Sequence, residues 1–388
     1  MGLLSNTVNI CHFRAIGEKP EQDLYEWAST RLAKNSFQSI DQTTDEVSSG
    51  WVHIDDSTEN SFAHPRAFWR DHYLAMTLRR DQRRVPSAVF RAHLQSAERE
   101  FLAAHPGLRK VPKQKREELS QAVKAALFAK TLPAPSMVDA VWDTNSNLVT
   151  LTSLTPKAID LFDNYFKNTF EGFRLVMVHP FSRAEGVVKE ELKPVLLKAN
   201  KSPTGDTLDL IHENQWLGWD FLLWLTYQTM TQSSTYPVNQ PGPFSEGESF
   251  VAYVNDRLVL VGGGDGGLQK ISIIGSQDHF SEVRTALKNG RQITEATLYF
   301  EKEEVQWKLT LKGTVFQFAS FKSPPVQIEK DNITDRADER EAVFYERMHL
   351  MQQGLQLFDS LYATFLETRL TKAWIDEEKA VREWLDSD

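Results

Sequence analysis

Two hydrophobic periods run along this chain, and the switches between them divide it. Val8, Ile10 and Phe13 give residues 7–15 the look of a strand, while Leu24, Trp27, Ala28 and Leu32 share one helical face in 18–34. Strand formers fill 50–54 and 68–79. Pro86 opens a helix that reaches Ala104, with Val89, Leu94, Ala97 and Phe101 in contact spacing, and His105-Pro106-Gly107 marks its end. A second helix is expected over 113–130, its buried stripe being Leu119, Val123, Ala126 and Leu127, with Pro133 and Pro135 beyond it. The runs 137–142 and 148–151 are joined through Asp143-Thr144-Asn145-Ser146-Asn147, which reads as a hairpin. A helix over 156–170 and a strand over 173–178 follow.

In the second half, 217–227 is apolar enough to be a buried helix, and 228–245 reads as an exposed insertion loop. Residues 249–321 are β-rich, with strands expected at 250–254, 257–261, 270–274, 297–300, 306–311 and 314–318 around a helix at 280–289. Pro324-Pro325 breaks the pattern, and helices are expected over 335–368 and 372–385. The pattern predicts an α+β chain of antiparallel sheets with packed helices. Three regions are expected: an N-terminal α+β region (1–180) carrying a basic helical hairpin at about 86–132, a β-rich region (181–325), and C-terminal acidic helices (326–388).

Composition narrows the class. With 388 residues, 41% of them hydrophobic, the chain can bury a core without metal or disulfide staples. The single cysteine, Cys11, excludes an intrachain disulfide and a thiolate metal cluster, and fits a reducing compartment. There is no apolar run near ~20 residues to span a membrane. The N-terminus lacks a basic stretch and a cleavage site, and Asn6 spoils a myristoylation motif at Gly2. A cytoplasmic protein without a membrane partner is expected.

Charge is uneven. Lys and Arg total 44 against 53 Asp and Glu, a net charge of −9, yet residues 79–130 hold 13 basic and 5 acidic residues. From Glu329 to the end the count reverses to 8 basic against 15 acidic. A basic segment in an acidic molecule still attracts a polyanion, because screening confines each field to about 8–10 Å.

The motifs of common chemistries are missing. The glycine run 262–267 lacks the Lys-Ser/Thr of a phosphate loop and suits a hairpin. No two histidines have metal-ligand spacing. Glu191-Leu192-Lys193 is an E-x-K triplet of the kind nucleases use, without a well-placed upstream Asp. Asp55-Asp56 would point to opposite faces of a strand. Trp216, Trp219, Trp224 and Tyr227 recur at helical spacing and are assigned to the core rather than to base stacking. No catalytic residue, metal site or cofactor is expected. The basic stretch differs: Arg83, Arg84, Arg109, Lys110, Lys113, Lys115, Arg116 and Lys130 bracket two helices and their turn, a set suited to sequence-tolerant phosphate binding.

The order of features resembles the recombination-associated RdgC family of bacteria. The matching residues are Gly50-Trp51-Val52, Arg84-Val85-Pro86-Ser87, Arg109-Lys110, Leu127-Phe128-Ala129-Lys130-Thr131-Leu132, Trp142-Asp143-Thr144 with Leu148, and Gly290 before Ile293-Thr294-Glu295-Ala296. The similarity runs without gaps from Arg109 to Leu132 and extends to about Leu366. It implies a ring-forming subunit, a homodimer that threads double-stranded DNA through a basic hole and restrains a recombinase, without catalysis. It places Arg109 and Lys110 facing DNA, Lys130 where the family has arginine, and Leu132 where a phenylalanine often closes one ring interface. A DNA-contacting lysine of the family falls at Ser276 beside Gln277, moving that contact toward Lys270. The expected function is therefore sequence-independent duplex-DNA binding in recombination, in the cytoplasm and on the nucleoid. The rivals are a metal-dependent exonuclease using Glu191 and Lys193, and a protein-binding regulator acting through the acidic C-terminal helices without DNA.

Overall fold

The computed structural model describes residues 2–18, 20, 23–231, 234–264, 267–275, 280–327 and 335–387. In chain order its elements are β1 (Thr7–Ile16), α1 (Leu24–Lys34), β2 (Val47–Val52), β3 (Trp69–Arg70), β4 (Tyr73–Gln82), α2 (Ser87–Ala104), α3 (Lys113–Lys130), β5 (Ala134–Asp143), β6 (Leu148–Leu151), α4 (Pro156–Thr169) and β7 (Arg174–Met177). The second half adds α5 (Pro180–Val187), α6 (Lys193–Ala199), α7 (Thr207–Glu213), α8 (Trp216–Thr231), β8 (Thr235–Pro237), β9 (Ser249–Gly264) and β10 (Gly267–Ile274). It ends with α9 (Ser281–Lys288), β11 (Gln292–Lys302), β12 (Val305–Lys312), β13 (Gln317–Lys322), α10 (Arg336–Arg369) and α11 (Ala373–Asp386). The α+β class holds.

These elements form two compact units, where the sequence pattern suggests three consecutive regions. The larger comprises Met1–Gly17, Trp142–Asp160 and Phe173–Asp388; the other, inserted into it, comprises Glu18–Val141 and Leu161–Gly172. Hydrophobic periodicity reports which residues are buried but not against which neighbour, so a discontinuous unit leaves no mark in it.

In the larger unit the strand order is β10-β9-β11-β12-β13-β1-β6, with β7 beside β1 and β8 beside β9. Alternation along β11 and β12 sends Leu298, Phe300, Trp307, Leu309 and Leu311 inward, all fully buried. Helix α8 is apolar all round and is correspondingly buried, bringing Phe221 against Phe316, Phe358, Tyr362 and Phe365 at ring-centroid distances of 5.3–6.2 Å. It lies so close to the β12–β13 turn that a Cβ on Gly218 would stand 1.9 Å from the Gly313 carbonyl oxygen. The strands expected at 250–254 and 257–261 are one, β9, with Asp256 at φ +65° between them. The last strand starts at Gln317, later than expected, because Phe316 takes φ +50° in the preceding turn. The segment 228–245 is not wholly a loop, since it holds the end of α8 and all of β8.

In the inserted unit, β4 lies between β2 and β5, with β3 on β4. Asp23 caps α1 by accepting the Tyr25 N–H at 3.0 Å, so the helix begins later than residue 18. Trp51 is fully buried and its indole N–H donates to Thr169 Oγ1 at 2.7 Å. Gly50 precedes it because a Cβ there would lie 2.4 Å from the Phe37 backbone. Helices α2 and α3 depart from expectation: α2 buries no residue, and α3 buries only Phe128. Val89 is exposed, and Leu119, Val123 and Leu127 are half-covered, because the two helices pack chiefly on each other. Among the described residues no helix is long and apolar enough to cross a membrane.

Candidate nucleic-acid interface

Helix α3 begins after Val111-Pro112, and its first turn holds Lys113, Lys115 and Arg116 but no acidic residue. Cations there oppose the helix dipole, whose amino end favours negative charge. The N-cap is Pro112, which supplies no side-chain hydrogen bond, so the first-turn N–H groups point outward without a capping oxygen. Arg109, Lys110 and Lys113 are all exposed, and among the described residues none forms an ion pair. Uncapped amides and three free cations at one helix end form an arrangement an anion can complete.

The remaining candidates fall into grades. Lys130, at the other end of α3, is exposed and, among the described residues, also without an ion pair. Lys115 is held by Glu118 at 2.9 Å, and Arg116 reaches across the hairpin to Glu98 at 2.7 Å. Arg84 is exposed and turned back on the Gln82 side-chain oxygen at 3.2 Å. These three are accessible but partly occupied.

Arg83 is placed differently from the expectation. It is 2% exposed, and its guanidinium donates to the carbonyls of Thr131 at 2.8 Å, Thr43 at 2.7 Å, Asp45 and Ile40 at 2.9 Å, and Asp41 at 3.3 Å. A guanidinium with every donor committed to backbone carbonyls has none left for a phosphate. Arg83 is thus a clamp joining the 40–45 loop to the base of the hairpin, and we remove it from the DNA-facing set. Sequence could not separate it from Arg84, since adjacent arginines look alike until one side chain turns inward.

Leu132, just past α3, is 83% exposed. Lys270 is also exposed, but Glu295 holds it at 3.2 Å; Ser276 and Gln277 lie outside the described residues. The other candidate residues have structural surroundings of their own. Glu191 lies in a single 3-10 turn and Lys193 opens α6, so the triplet is not on a strand, and Lys193 pairs with Glu190. Asp55 pairs with the buried Arg70, and Asp56 accepts from Thr58. Among the described residues no three His, Cys, Asp or Glu side chains stand close enough to hold a metal ion. Gly264 pairs with Gly267 across β9 and β10, as a hairpin requires, with Asp265 and Gly266 outside the described residues. Trp216, Trp224 and Tyr227 are core residues. Cys11 is buried, and burial pushes its thiol up to about 12.

Comparison with known proteins gives one family match. Residues 9–190 match the family model described as "Putative exonuclease, RdgC". Over that segment the chain is similar to the RdgC family. The match contains the whole α2–α3 hairpin and its flanking strands, and it supports a recombination-associated, DNA-related role. No curated protein matches the chain.

Proposed function

We propose that this protein binds duplex DNA without regard to sequence and acts in recombination or nucleoid organisation as a homodimer closed around the duplex. The observation that carries the reading is the amino end of α3, where Arg109, Lys110 and Lys113 stand exposed, without ion pairs among the described residues, beside backbone N–H groups that the N-cap Pro112 leaves without a side-chain cap. Such a site offers charge and backbone donors to phosphate and nothing to a base edge. A net charge of −9 is compatible, since only the DNA-facing surface needs positive charge. The homodimer and a recombinase partner extend the same reading, with the exposed Leu132 assigned to one contact between copies. The test is titration of unrelated duplexes over a series of salt concentrations. Each phosphate contact contributes about −0.9 to the slope of log K against log[salt]. Arg109→Ala with Lys110→Ala is expected to weaken all sequences alike and flatten the slope by up to about two units. Lys372→Ala with Lys379→Ala, on the acidic C-terminal segment, is expected to do little. An unchanged slope in the folded first variant would sink the assignment.

The family description names an exonuclease, and that activity has a separate test. The candidates carried forward for it are Glu191 and Lys193. Mg²⁺-dependent degradation of DNA that disappears in Glu191→Gln, with binding retained, would establish it in place of the non-catalytic reading.

A further inference from the structure

The turn that joins α2 to α3 carries an exposed apolar side chain where charge alone would serve a phosphate. Between Phe101 and Arg116 the sequence holds five basic residues, Arg109, Lys110, Lys113, Lys115 and Arg116, and no acidic one. Leu108 stands among them, 41% exposed, in a stretch from Ala103 to Lys110 that is exposed throughout. A single exposed leucine is ordinary on a protein surface. Its neighbours set this one apart. Leu208 and Ile375, also exposed, adjoin Asp209 and Asp376, whereas Leu108 adjoins Arg109 and Lys110. That setting repels a basic partner and suits one that is anionic outside and apolar within. A nucleic-acid duplex is built so, with its phosphates outside and its base stack inside.

The turn is tied to both helices. The His105 N–H donates to the Leu102 carbonyl at 3.1 Å, and the Leu108 N–H donates to the His105 carbonyl at 3.0 Å. Pro106, between them, has its φ fixed by its ring. The His105 ring stacks on Phe101 with centroids 4.3 Å apart, its Nδ1 2.9 Å from the Phe101 carbonyl oxygen. From α3, Lys115 Nζ lies 5.8 Å from the Phe101 ring centroid. Leu108 is therefore carried on a propped support, which a side chain that must push against a partner requires.

We propose that Leu108 is a wedge that enters a base step of the duplex from the minor-groove side and parts the two base pairs, while Arg109, Lys110 and the amino end of α3 hold the flanking phosphates. The inference rests on the reading of the hairpin as the DNA-facing element and adds a contact to the base stack. Apolar side chains, leucine among them, part base steps in this way in proteins that bind the minor groove. The contact is to base faces, which every pair presents, so it reads no sequence. Opening a stack is least costly where a base is damaged or mispaired. A wedge consequently favours a damaged step over an intact one, which phosphate contacts alone do not.

Two short duplexes test it, one intact and bearing several 2-aminopurines, which brighten when unstacked, and one with a central abasic site. Wild type is expected to brighten the first and to bind the second at least about fivefold more tightly than intact DNA. Leu108→Ala is expected to abolish both effects and to keep the wild-type slope of log K against log[salt], since no phosphate contact is lost. Leu108→Phe keeps an apolar wedge and is expected to retain both. Arg109→Ala with Lys110→Ala is expected to weaken both duplexes alike and leave their ratio unchanged. If wild type binds DNA with its salt slope but neither brightens the probe nor prefers the abasic duplex, the wedge is overturned and the DNA-binding reading stands. A preference that survives in Leu108→Ala overturns it equally. No binding to either duplex overturns both readings. Vesicles of phosphatidylglycerol are also anionic outside and apolar within; binding to them that Leu108→Ala abolishes, with the abasic preference intact, assigns the side chain to a lipid surface and overturns the wedge.

Discussion

The α2–α3 hairpin and the ring cluster around α8 contrast in what their side chains are used for. Around α8, Phe221 touches Phe316, Phe358, Tyr362 and Phe365, and every ring is buried. Along the hairpin, 36 helical residues contribute a single buried side chain, Phe128. The first region spends its chemistry on stability. The second leaves apolar residues half-covered and, among the described residues, Arg109, Lys110 and Lys113 without ion pairs, as the proposed DNA-facing surface requires. Substitutions in the two regions should consequently report different quantities, folding in one and binding in the other.

The sharpest break in that contrast is truncation at each site. Phe221→Ala removes a ring from the centre of its cluster and is expected to cost about 3–5 kcal/mol in denaturant unfolding. Leu94→Ala, on the half-covered stripe of α2, is expected to cost about 1 kcal/mol or less. Equal losses would mean that the hairpin is packed as tightly as the core.

Acid separates the regions further. His12 is fully buried against Phe318 with Arg183 nearby, and burial followed by the Arg183 charge holds its imidazole down at about 3. His179 is held at about 4 by burial. Because these folded values lie below the unfolded value of 6.5, the unfolded chain binds more protons between them. The stabilisation is present above pH 6.5 and is lost as pH falls toward 4, on the order of 3 kcal/mol from His12. Asp359, which pairs with Arg183, is pushed upward by burial and acts in the opposite sense, so the comparison must be between wild type and variant. His12→Leu should flatten the slope of unfolding free energy against pH over 4–6.5. An unchanged slope would exclude His12 as its source.

Arg83 tests whether the hairpin's anchorage is distinct from its charge. Arg83→Lys keeps the charge but cannot reproduce a fork shared among five carbonyls, and is expected to destabilise the protein by about 2–3 kcal/mol. The salt slope for DNA should stay as in wild type, because no phosphate contact is removed. A flatter slope with unchanged stability would return Arg83 to the binding set.

Much of the α+β framework was legible because local signals agreed: prolines flank α2 and α3, and the aromatic run in α8 is too apolar to be exposed. Missed features depended on partners far away in sequence. The stripe on α3 has core spacing, yet periodicity cannot tell a core from a hairpin whose second face is open. Arg83 and Arg84 are adjacent, and only the 40–45 carbonyls distinguish them. The missing acid and side-chain cap at the start of α3 could have been read from Val111-Pro112-Lys113-Gln114-Lys115-Arg116 by asking what a basic first turn does to the helix dipole. The place of β10 at the end of its sheet could not, since the glycines that join it to β9 do not say which strand comes next.

The smallest effect concerns a cation that the hairpin restrains. Arg116 is exposed, but Glu98 holds it across the hairpin at 2.7 Å, whereas Arg109 and Lys110 have no such competitor among the described residues. A phosphate approaching Arg116 must displace that carboxylate, so the residue should contribute less than a free cation. Glu98→Gln removes the competing charge and one repulsive negative charge near the DNA. An exposed pair of this kind is worth about 0.2–1 kcal/mol, which corresponds to about a 1.4- to 5-fold gain in DNA affinity at low salt. The salt slope should steepen by less than about one unit, because Arg116 becomes a fuller phosphate contact. Glu378→Gln, which frees Arg382 on α11 in the same way, removes the same charge from the larger unit and should leave affinity unchanged. Equal gains from both variants would mean that net charge alone, rather than the free cations of the hairpin, governs binding.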